Sequence, residues 1–577
     1  MTSAPPPDLP LDPALALLPR PRRLVRRDGV LTLPERVVVS TDEPGRPAAE
    51  HLARVLAGGT GRSPAVVEAG AVDAARVTVE VRVDGDADLP PGPRGSRTES
   101  FRLTVTPQGA TVLAGGPAGA TYGVVALLQL LPPAVLRRAP VGDGPWVAAA
   151  CVVEDAPAFA WRGVMLDVAR HFFPVHEVLR LVDQLVLHRV NRLHLHLTED
   201  QGWRLEVRRH PRLTQVGAWR RESQVGADVV GPEGGVTASF DGRPHGGFYT
   251  HDDVREIVAH AAERGITVVP EVETPGHVRA ALAAYPELGV TGEALEVWTR
   301  WGVCEDVLNT EESTVRFFQD VLDEVMELFP SEYVGLGGDE CPKAQWRADP
   351  RTQQRIRELG LADEEELQGW FVGRLAAHVE AAGRRPFGWD EVLEGGTVPR
   401  STTVMSWRGL QGAVTAARRG HDVISTPDDR VYLDYRQSEL ATEPIPIAVP
   451  LTVADVLAFD PVPPELTPKE AEHVLGGQAN LWTEHVDDAR RADYQLFPRV
   501  AALAEALWSA DVAGPRDLAD FQRRLIVHRE RLVAMGVEAR PQDGPLPWQQ
   551  RPGVPGRPVS REDRAAHMAT LTANITD

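Results

Sequence analysis

The chain is 577 residues long, with 43% apolar and 25% charged residues, the balance of an ordinary soluble globular protein. A formal net charge of −21 argues against nucleic acid and anionic membrane as partners, since both select basic surface. The cations are almost all arginine, and only Lys343 and Lys469 could serve lysine chemistry. Cys151, Cys304 and Cys341 stand far apart without CxxC spacing, so neither a disulfide framework nor a cysteine zinc site is expected.

Residues 1–20 are rich in proline and read as a loose, flexible arm. This stretch has no basic segment followed by an apolar one, and no later run is long and apolar enough to span a bilayer. The cytoplasm is therefore the simplest expected location. Residues 21–156 mix short β-like runs ("RVVVST", "RVTVEVRVD", "SFRLTVTPQGATVLAG") with helical patterns ("AAEHLARVLAG", "TYGVVALLQLLP"), which reads as an α+β domain. From residue 157 to 510 the pattern changes. Strands are expected at "WRGVMLDVA", "RLHLHLTED", "ITVVPEVE", "YVGLGGDE", "RPFGWDEV", "TTVMSWRG", "HDVISTP" with "RVYLDY", and "VLGGQANLWTE". Helices fall between them. One carries Val178, Leu181, Val182 and Leu185 at helical spacing, and another begins after Thr250 as N-cap with Asp253 completing a capping box. Residues 222–247 read as a glycine-rich loop. About eight strand–helix alternations over roughly 350 residues predict an α/β fold, a (β/α)8 TIM barrel preceded by a smaller α+β domain. Residues 511–577 supply one helix, "LADFQRRLIVHRERLVAMG", and a polar tail.

Chemistry in such a barrel sits at the carboxyl ends of the strands. Polar residues gather at those positions: Asp167 and Arg170, Glu199 and Asp200, Glu271, Glu273 and His277, then Asp339 and Glu340. Later strands add Trp389, Asp390 and Glu391, then Trp407, Tyr432, Asp434, Trp482 and Glu484. Carboxylates accept from hydroxyls and indoles cover C–H faces, so this ring suits a neutral sugar. The rival enzyme reading is a metal-dependent hydrolase, because His194 and His196 share one strand face in an HxH pattern. No GxSxG or GxxxxGK[ST] motif supports acyl transfer or nucleotide chemistry. A third reading is a sugar-binding barrel that has lost catalysis.

The segments "RGVMLDVARHFFPV", "NRLHLHLTEDQGWRLE", "GGFYTHDDVREIV", "PEVETPGHVRAAL", "GLGGDE" and "LGGQANLWTE" resemble, in order and spacing, the β-N-acetylhexosaminidases of glycoside hydrolase family twenty. The resemblance implies a substrate-assisted reaction in which the acetamido oxygen of the sugar attacks its own anomeric carbon. It implies Glu340 as general acid and base, and Asp339 as the group that orients the acetamido N–H. His277 would tune Glu340, partnered by Glu199 or Asp200. Arg170 would bind the C3 and C4 hydroxyls, and Asp434 and Glu484 the C4 and C6 hydroxyls. Trp370, Trp389, Trp407 and Trp482 would wall the pocket, and Tyr432 would donate to the acetamido oxygen. No metal or other cofactor is expected. The partner is a β-N-acetylhexosaminide, and oligomeric state is left open.

Overall fold

The computed structural model of the chain describes residues 15–73, 76–230, 236–396, 398–510 and 516–575. Its first layer is a seven-stranded mixed sheet. The strand order is Arg23–Thr32, Val147–Asp155, Phe101–Thr106, Gly109–Ala114, Val79–Val83, Val38–Thr41, Ala65–Glu68. Phe101–Thr106 and Gly109–Ala114 alternate buried and half-buried residues, as strands with one covered face must. The covering helix Pro117–Leu130 is buried on nearly all sides. It is shared between two cores: Val124 packs with the sheet and Val125 with the barrel.

The barrel is closed by eight strands in parallel: β1 (Trp161–Asp167), β2 (Arg192–His196), β3 (Thr267–Thr274), β4 (Tyr333–Gly337), β5 (Arg385–Trp389), β6 (Thr403–Ser406), β7 (Val423–Ser425) and β8 (Val474–Leu481). β1 and β8 are buried along their whole length, and polar residues within them pair inside the barrel, as where Trp161 Nε1 donates to Gln478 Oε1 at 3.2 Å. The helix Val175–Leu187 buries Val178, Leu181, Val182 and Leu185 as its spacing predicts. The helix His251–Ala262 starts with the expected Thr250–Asp253 capping box.

Three expectations need correction. The arm is not loose throughout. Residues 1–14 lie outside the described residues, but Leu17 and Leu18 are fully buried, and burial of each is worth roughly 1.5–3 kcal/mol. The Gln129 side chain also brackets Leu18, accepting from its N–H at 2.9 Å and donating to its carbonyl at 2.7 Å. The glycine-rich loop contains an antiparallel hairpin, Gln224–Val230 with Val236–Phe240. Finally, the C-terminal region holds two helices, Leu518–Ala534 and Arg561–Leu571, where one was expected. Among the described residues no helix is long and apolar enough to cross a membrane.

Candidate active site

A cavity of about 170 Å³ opens at the carboxyl ends of the barrel strands, lined by Arg170, Asp339, Glu340, Trp389, Trp407, Tyr432, Asp434, Tyr435, Trp482 and Glu484. Trp389 closes β5, Tyr432, Asp434 and Tyr435 follow the short helix Asp428–Val431, and the others arrive from the segments just after β1, β4, β6 and β8. Arg170 follows β1 and is fixed on three sides. Its Nε donates to Gln201 Oε1 at 3.0 Å, its Nη1 to Asp167 Oδ2 at 3.4 Å, and its Nη2 pairs with Glu199. The guanidinium also lies over the Trp482 ring, 5.0 Å from the centroid.

The Asp339–Glu340 pair stands on a backbone that few sequences could adopt. β4 ends at Gly337 and Gly338 comes next, both left-handed at φ +69° and +97°, and Glu340 follows at φ +43°. A Cβ on Gly337 would lie 1.7 Å from Glu273 Oε2, so glycine is needed for both conformation and space. His277 is also left-handed, at φ +53°. Two non-glycine residues held in this region at one site mark backbone kept in place by its surroundings. The turn carries both carboxylates into one pocket, where an extended strand would have sent them to opposite faces.

His277 connects the pair to the end of β2. Its Nδ1 lies 2.8 Å from Glu199 Oε1 and 3.3 Å from Asp200 Oδ2, and its Nε2 lies 3.6 Å from both Asp339 Oδ2 and Glu340 Oε2. Neither ring nitrogen is aligned for a hydrogen bond, so these contacts act as close charge pairs. Burial pushes the imidazole toward neutrality, but Glu199 foremost, with Asp200 and Glu340, holds its pKa well above the ordinary value. Glu199 is the nearer partner, and Asp200 shares the contact. Burial raises Asp339 to about 6, Glu271 and Glu340 add to the rise, and His277 opposes it. Burial raises Glu340 as well, but its His277 contacts, with Arg170 and Arg564, bring it below the usual carboxylate range. The Glu340 side chain is 41% exposed to the pocket, whereas that of Asp339 is 12% exposed. Asp339 Oδ1 and Asp434 Oδ1 are buried without a hydrogen-bond partner, two acceptors for which the protein supplies no donor.

Four aromatic side chains enclose the far side. Trp389 and Trp482 have centroids 5.9 Å apart, Tyr432 and Trp482 6.1 Å, and Trp407 lies nearly parallel to Tyr432 at 6.3 Å. Trp370 does not join them. It sits on the outer helix Glu364–Ala381 between the guanidinium groups of Arg355 and Arg374, 5.0 and 5.4 Å away, so its expected place in the pocket wall is corrected. Tyr435 lines the pocket and was missed. "RVYLDY" was read with the seventh strand, but it forms a short helix, Asp428–Val431, and a bridge from Tyr432 to Asn480.

The HxH pair of β2 is engaged by Glu271, whose Oε2 lies 2.6 Å from His196 Nδ1 and 3.1 Å from His194 Nε2. Two imidazoles directed at one carboxylate oxygen describe an internal network, not an open ligand set. The groups His196–Glu271–Glu273, Glu199–Asp200–His277 and His277–Asp339–Glu340 each bring three ligand-type atoms within 4.8 Å, and only the last borders the pocket. Burial first, then Asp339 and Glu271, raises Glu273 well above the ordinary range. Neither of its oxygens has a hydrogen-bond partner among the described residues, and His196 Nδ1 lies 3.6 Å from Oε1.

Comparison with known proteins agrees with this geometry. Residues 159–511 match the family model "Glycosyl hydrolase family 20, catalytic domain", and residues 14–156 match "Glycosyl hydrolase family 20, domain 2". The chain is 41% identical over 471 residues to the "Beta-hexosaminidase" of Porphyromonas gingivalis, covering 81% of this chain and 57% of that protein. It thus spans less than two thirds of that relative's length. It is 34% identical over 528 residues to the "Beta-N-acetylhexosaminidase" of Cellulomonas fimi, covering 89% of this chain and 94% of that one. The Streptomyces plicatus N-acetyl-β-hexosaminidase superposes with a TM-score of 0.77 at 31% identity, over 92% of this chain and 98% of that one. The chain belongs to glycosyl hydrolase family 20.

Proposed function

We propose that the protein is an exo-acting β-N-acetylhexosaminidase. It releases terminal β-linked N-acetylglucosamine or N-acetylgalactosamine with retention of configuration. The observation that carries this reading is the delivery of two adjacent carboxylates, differently tuned, into one pocket beside unpartnered acceptors and an aromatic wall. Most glycosidases need carboxylates on opposite sides of the scissile bond, and adjacent residues cannot provide that. A substrate that brings its own nucleophile removes the need.

In the first step the acetamido carbonyl oxygen attacks C1 and the bond from C1 to the leaving oxygen breaks. Glu340 gives its proton to that oxygen. Asp339, through its unpartnered Oδ1, accepts from the acetamido N–H and stabilises the positive charge that spreads into the oxazolinium ring. In the second step water attacks C1, Glu340 takes the proton, and the ring opens to the acetamide. His277, held by Glu199 and Asp200, keeps a positive charge near both carboxylates throughout. Arg170 offers its guanidinium fork to the C3 and C4 hydroxyls. Asp434 and Glu484 accept from the C4 and C6 hydroxyls, while Trp389, Trp407 and Trp482 enclose the acetamido methyl and sugar face. Tyr432 donates to the acetamido oxygen. The names of the Porphyromonas and Cellulomonas relatives support the same reading.

The test is hydrolysis of a nitrophenyl β-N-acetylglucosaminide against the matching β-glucoside, with the first-formed anomer read by proton NMR. Cleavage of the acetamido sugar alone, giving the β-anomer first, is expected. Equal cleavage of both would contradict the proposal, and activity abolished by a chelator would move the chemistry to a cation.

A further inference from the structure

Residues 541–575 lie beyond the match to the catalytic-domain family and fold back across the barrel face that bears the pocket. Arg551 Nη2 sits 2.6 Å from both Asp487 oxygens. The Pro555 carbonyl accepts from Ala227 at 2.8 Å, and Arg557–Pro558 adds a short parallel strand to Ile447–Ala448. These anchors deliver the helix Arg561–Leu571, which has 11 residues and none fully buried. A helix that short is marginal alone, so its order comes from what it docks against.

Both ends of that helix reach side chains that support the pocket wall. At one end Arg564 Nε and Nη2 each lie 2.5 Å from Asp428 Oδ2, and the same oxygen accepts from Tyr435 Oη at 2.7 Å. Asp428 is buried, and among the described residues Arg564 is its only cationic partner. Its backbone N–H also donates to the Trp407 carbonyl at 3.0 Å. At the other end the Leu571 carbonyl accepts from Arg408 Nη1 at 2.9 Å. Arg408 in turn holds Asp390 at 2.7 Å and lies 3.7 Å from Glu391, which accepts from Trp407 Nε1 at 3.0 Å. Tyr435 and Trp407 both flank Tyr432, edge-on at 5.8 Å and nearly parallel at 6.3 Å, and Trp482 lies against it at 6.1 Å.

We propose that the C-terminal tail is a working part of the pocket, with Arg564 and the Leu571 carbonyl as positioning groups. They hold Tyr435 and Trp407, and Tyr432 between them, in the geometry that grips the acetamido group of the substrate. This rests on the reading of Tyr432 and Trp407 given above. Without Arg564 the Asp428 carboxylate is buried beside two phenols with no countercharge, and it must shift or take up a proton. Tyr435 then loses its fixed acceptor. The contacts of the tail fall on that wall, while the Arg564 charge also helps to lower Glu340; Arg564→Lys, which keeps the charge, separates lost positioning from lost charge.

The experiment compares the full-length wild type with Arg564→Lys, Arg564→Met and the double variant Asp428→Asn/Arg564→Met. Aryl β-glucosaminides carrying N-acetyl or N-propionyl groups serve as substrates, and hydrogen exchange is followed in parallel. Arg564→Met is expected to lower kcat/KM on the N-acetyl substrate about ten- to a hundredfold, the scale of a misplaced binding group. It should also shrink the N-acetyl preference, and exchange should quicken in residues 428–436 and 405–411 but not in 271–277. Arg564→Lys should retain more activity, and the double variant should recover part of the loss because no charge is left unpaired. Wild-type kcat/KM, acyl preference and exchange in Arg564→Met would overturn the proposal. So would exchange that quickens equally throughout the barrel, which marks general loosening. Should the wild type cleave no hexosaminide, the functional reading fails, while local exchange still decides whether the tail holds Tyr435.

Discussion

Replacement of Gly337 by alanine tests how the adjacent carboxylates reach the pocket. The residue has φ +69°, a conformation that costs an L-residue roughly 1–2 kcal/mol. The new Cβ would lie 1.7 Å from Glu273 Oε2 and 2.5 Å from its Cδ, far inside contact distance. Glu273 is 1% exposed and cannot swing into solvent, so the end of β3 or of β4 must move. Overpacking of that kind adds about 1–3 kcal/mol, for a total of roughly 2–5 kcal/mol. The same movement displaces Asp339 and Glu340, and a shift near 1 Å costs on the order of 10²-fold in rate. Gly383→Ala is the control: its φ is +76°, but nothing lies within 4 Å of the added Cβ. Urea unfolding and kcat/KM on a nitrophenyl β-N-acetylglucosaminide would be measured for both. Gly383→Ala should lose only the conformational term and keep wild-type kcat/KM. Equal destabilisation of the two variants, with wild-type activity in Gly337→Ala, would refute the argument that this glycine sets the geometry of the dyad.

Other expectations follow from the same geometry. Glu340→Gln should lose on the order of 10²–10⁴-fold on substrates with basic leaving groups and much less on activated aryl ones; a uniform loss would remove Glu340 as the acid. Asp339→Ala should lower kcat by about 10²-fold or more, the scale of one preorganised electrostatic contact, and a near-normal rate would contradict its assigned role. Asp339 is raised to about 6, and a raised carboxyl keeps its proton up to that pH and loses it above. Asp339 accepts from the acetamido N–H only when ionised, so kcat/KM should fall on the acid side below about pH 6 with unit slope; a profile flat from pH 7 to pH 4 would contradict this. Trp389→Leu should raise KM and lower kcat, whereas Trp370→Leu should change stability and leave both constants near wild type, because Trp370 packs against Arg355 and Arg374 outside the pocket.

Much of this was legible in the sequence because it depends on local pattern. Strand and helix alternate with their own periods, and the segment before each strand end marks where a side chain enters the mouth. Asp339, Glu340, Trp389 and Trp482 could be placed in that way. Trp370 could not, since a tryptophan within a helix gives no sign of whether it faces the barrel or the solvent side. Tyr435 was hidden by a wrong local reading. In a strand, residues three apart point to opposite faces, whereas the turn after the helix Asp428–Val431, in which the Tyr435 N–H donates to the Tyr432 carbonyl at 3.3 Å, brings both rings to one pocket. The bond from Arg564 to Asp428 spans 136 residues and carries no periodic signal at all. Burial of Leu17 and Leu18 was missed for the same reason, since Gln129, the partner of Leu18, is 111 residues away from it and Arg524, which donates to the Leu17 carbonyl, is 507 residues from Leu17.

The central claim is that the sugar supplies the attacking oxygen. Its most direct measurement is kcat/KM for aryl β-glucosaminides whose N-acyl group is acetyl, monofluoroacetyl, difluoroacetyl and trifluoroacetyl in turn. Each fluorine draws electron density from the carbonyl oxygen while barely changing the shape of the group. The account predicts a steep, monotonic fall across the series. A flat response, or a glycosyl ester trapped on any side chain of the protein during turnover, would contradict it.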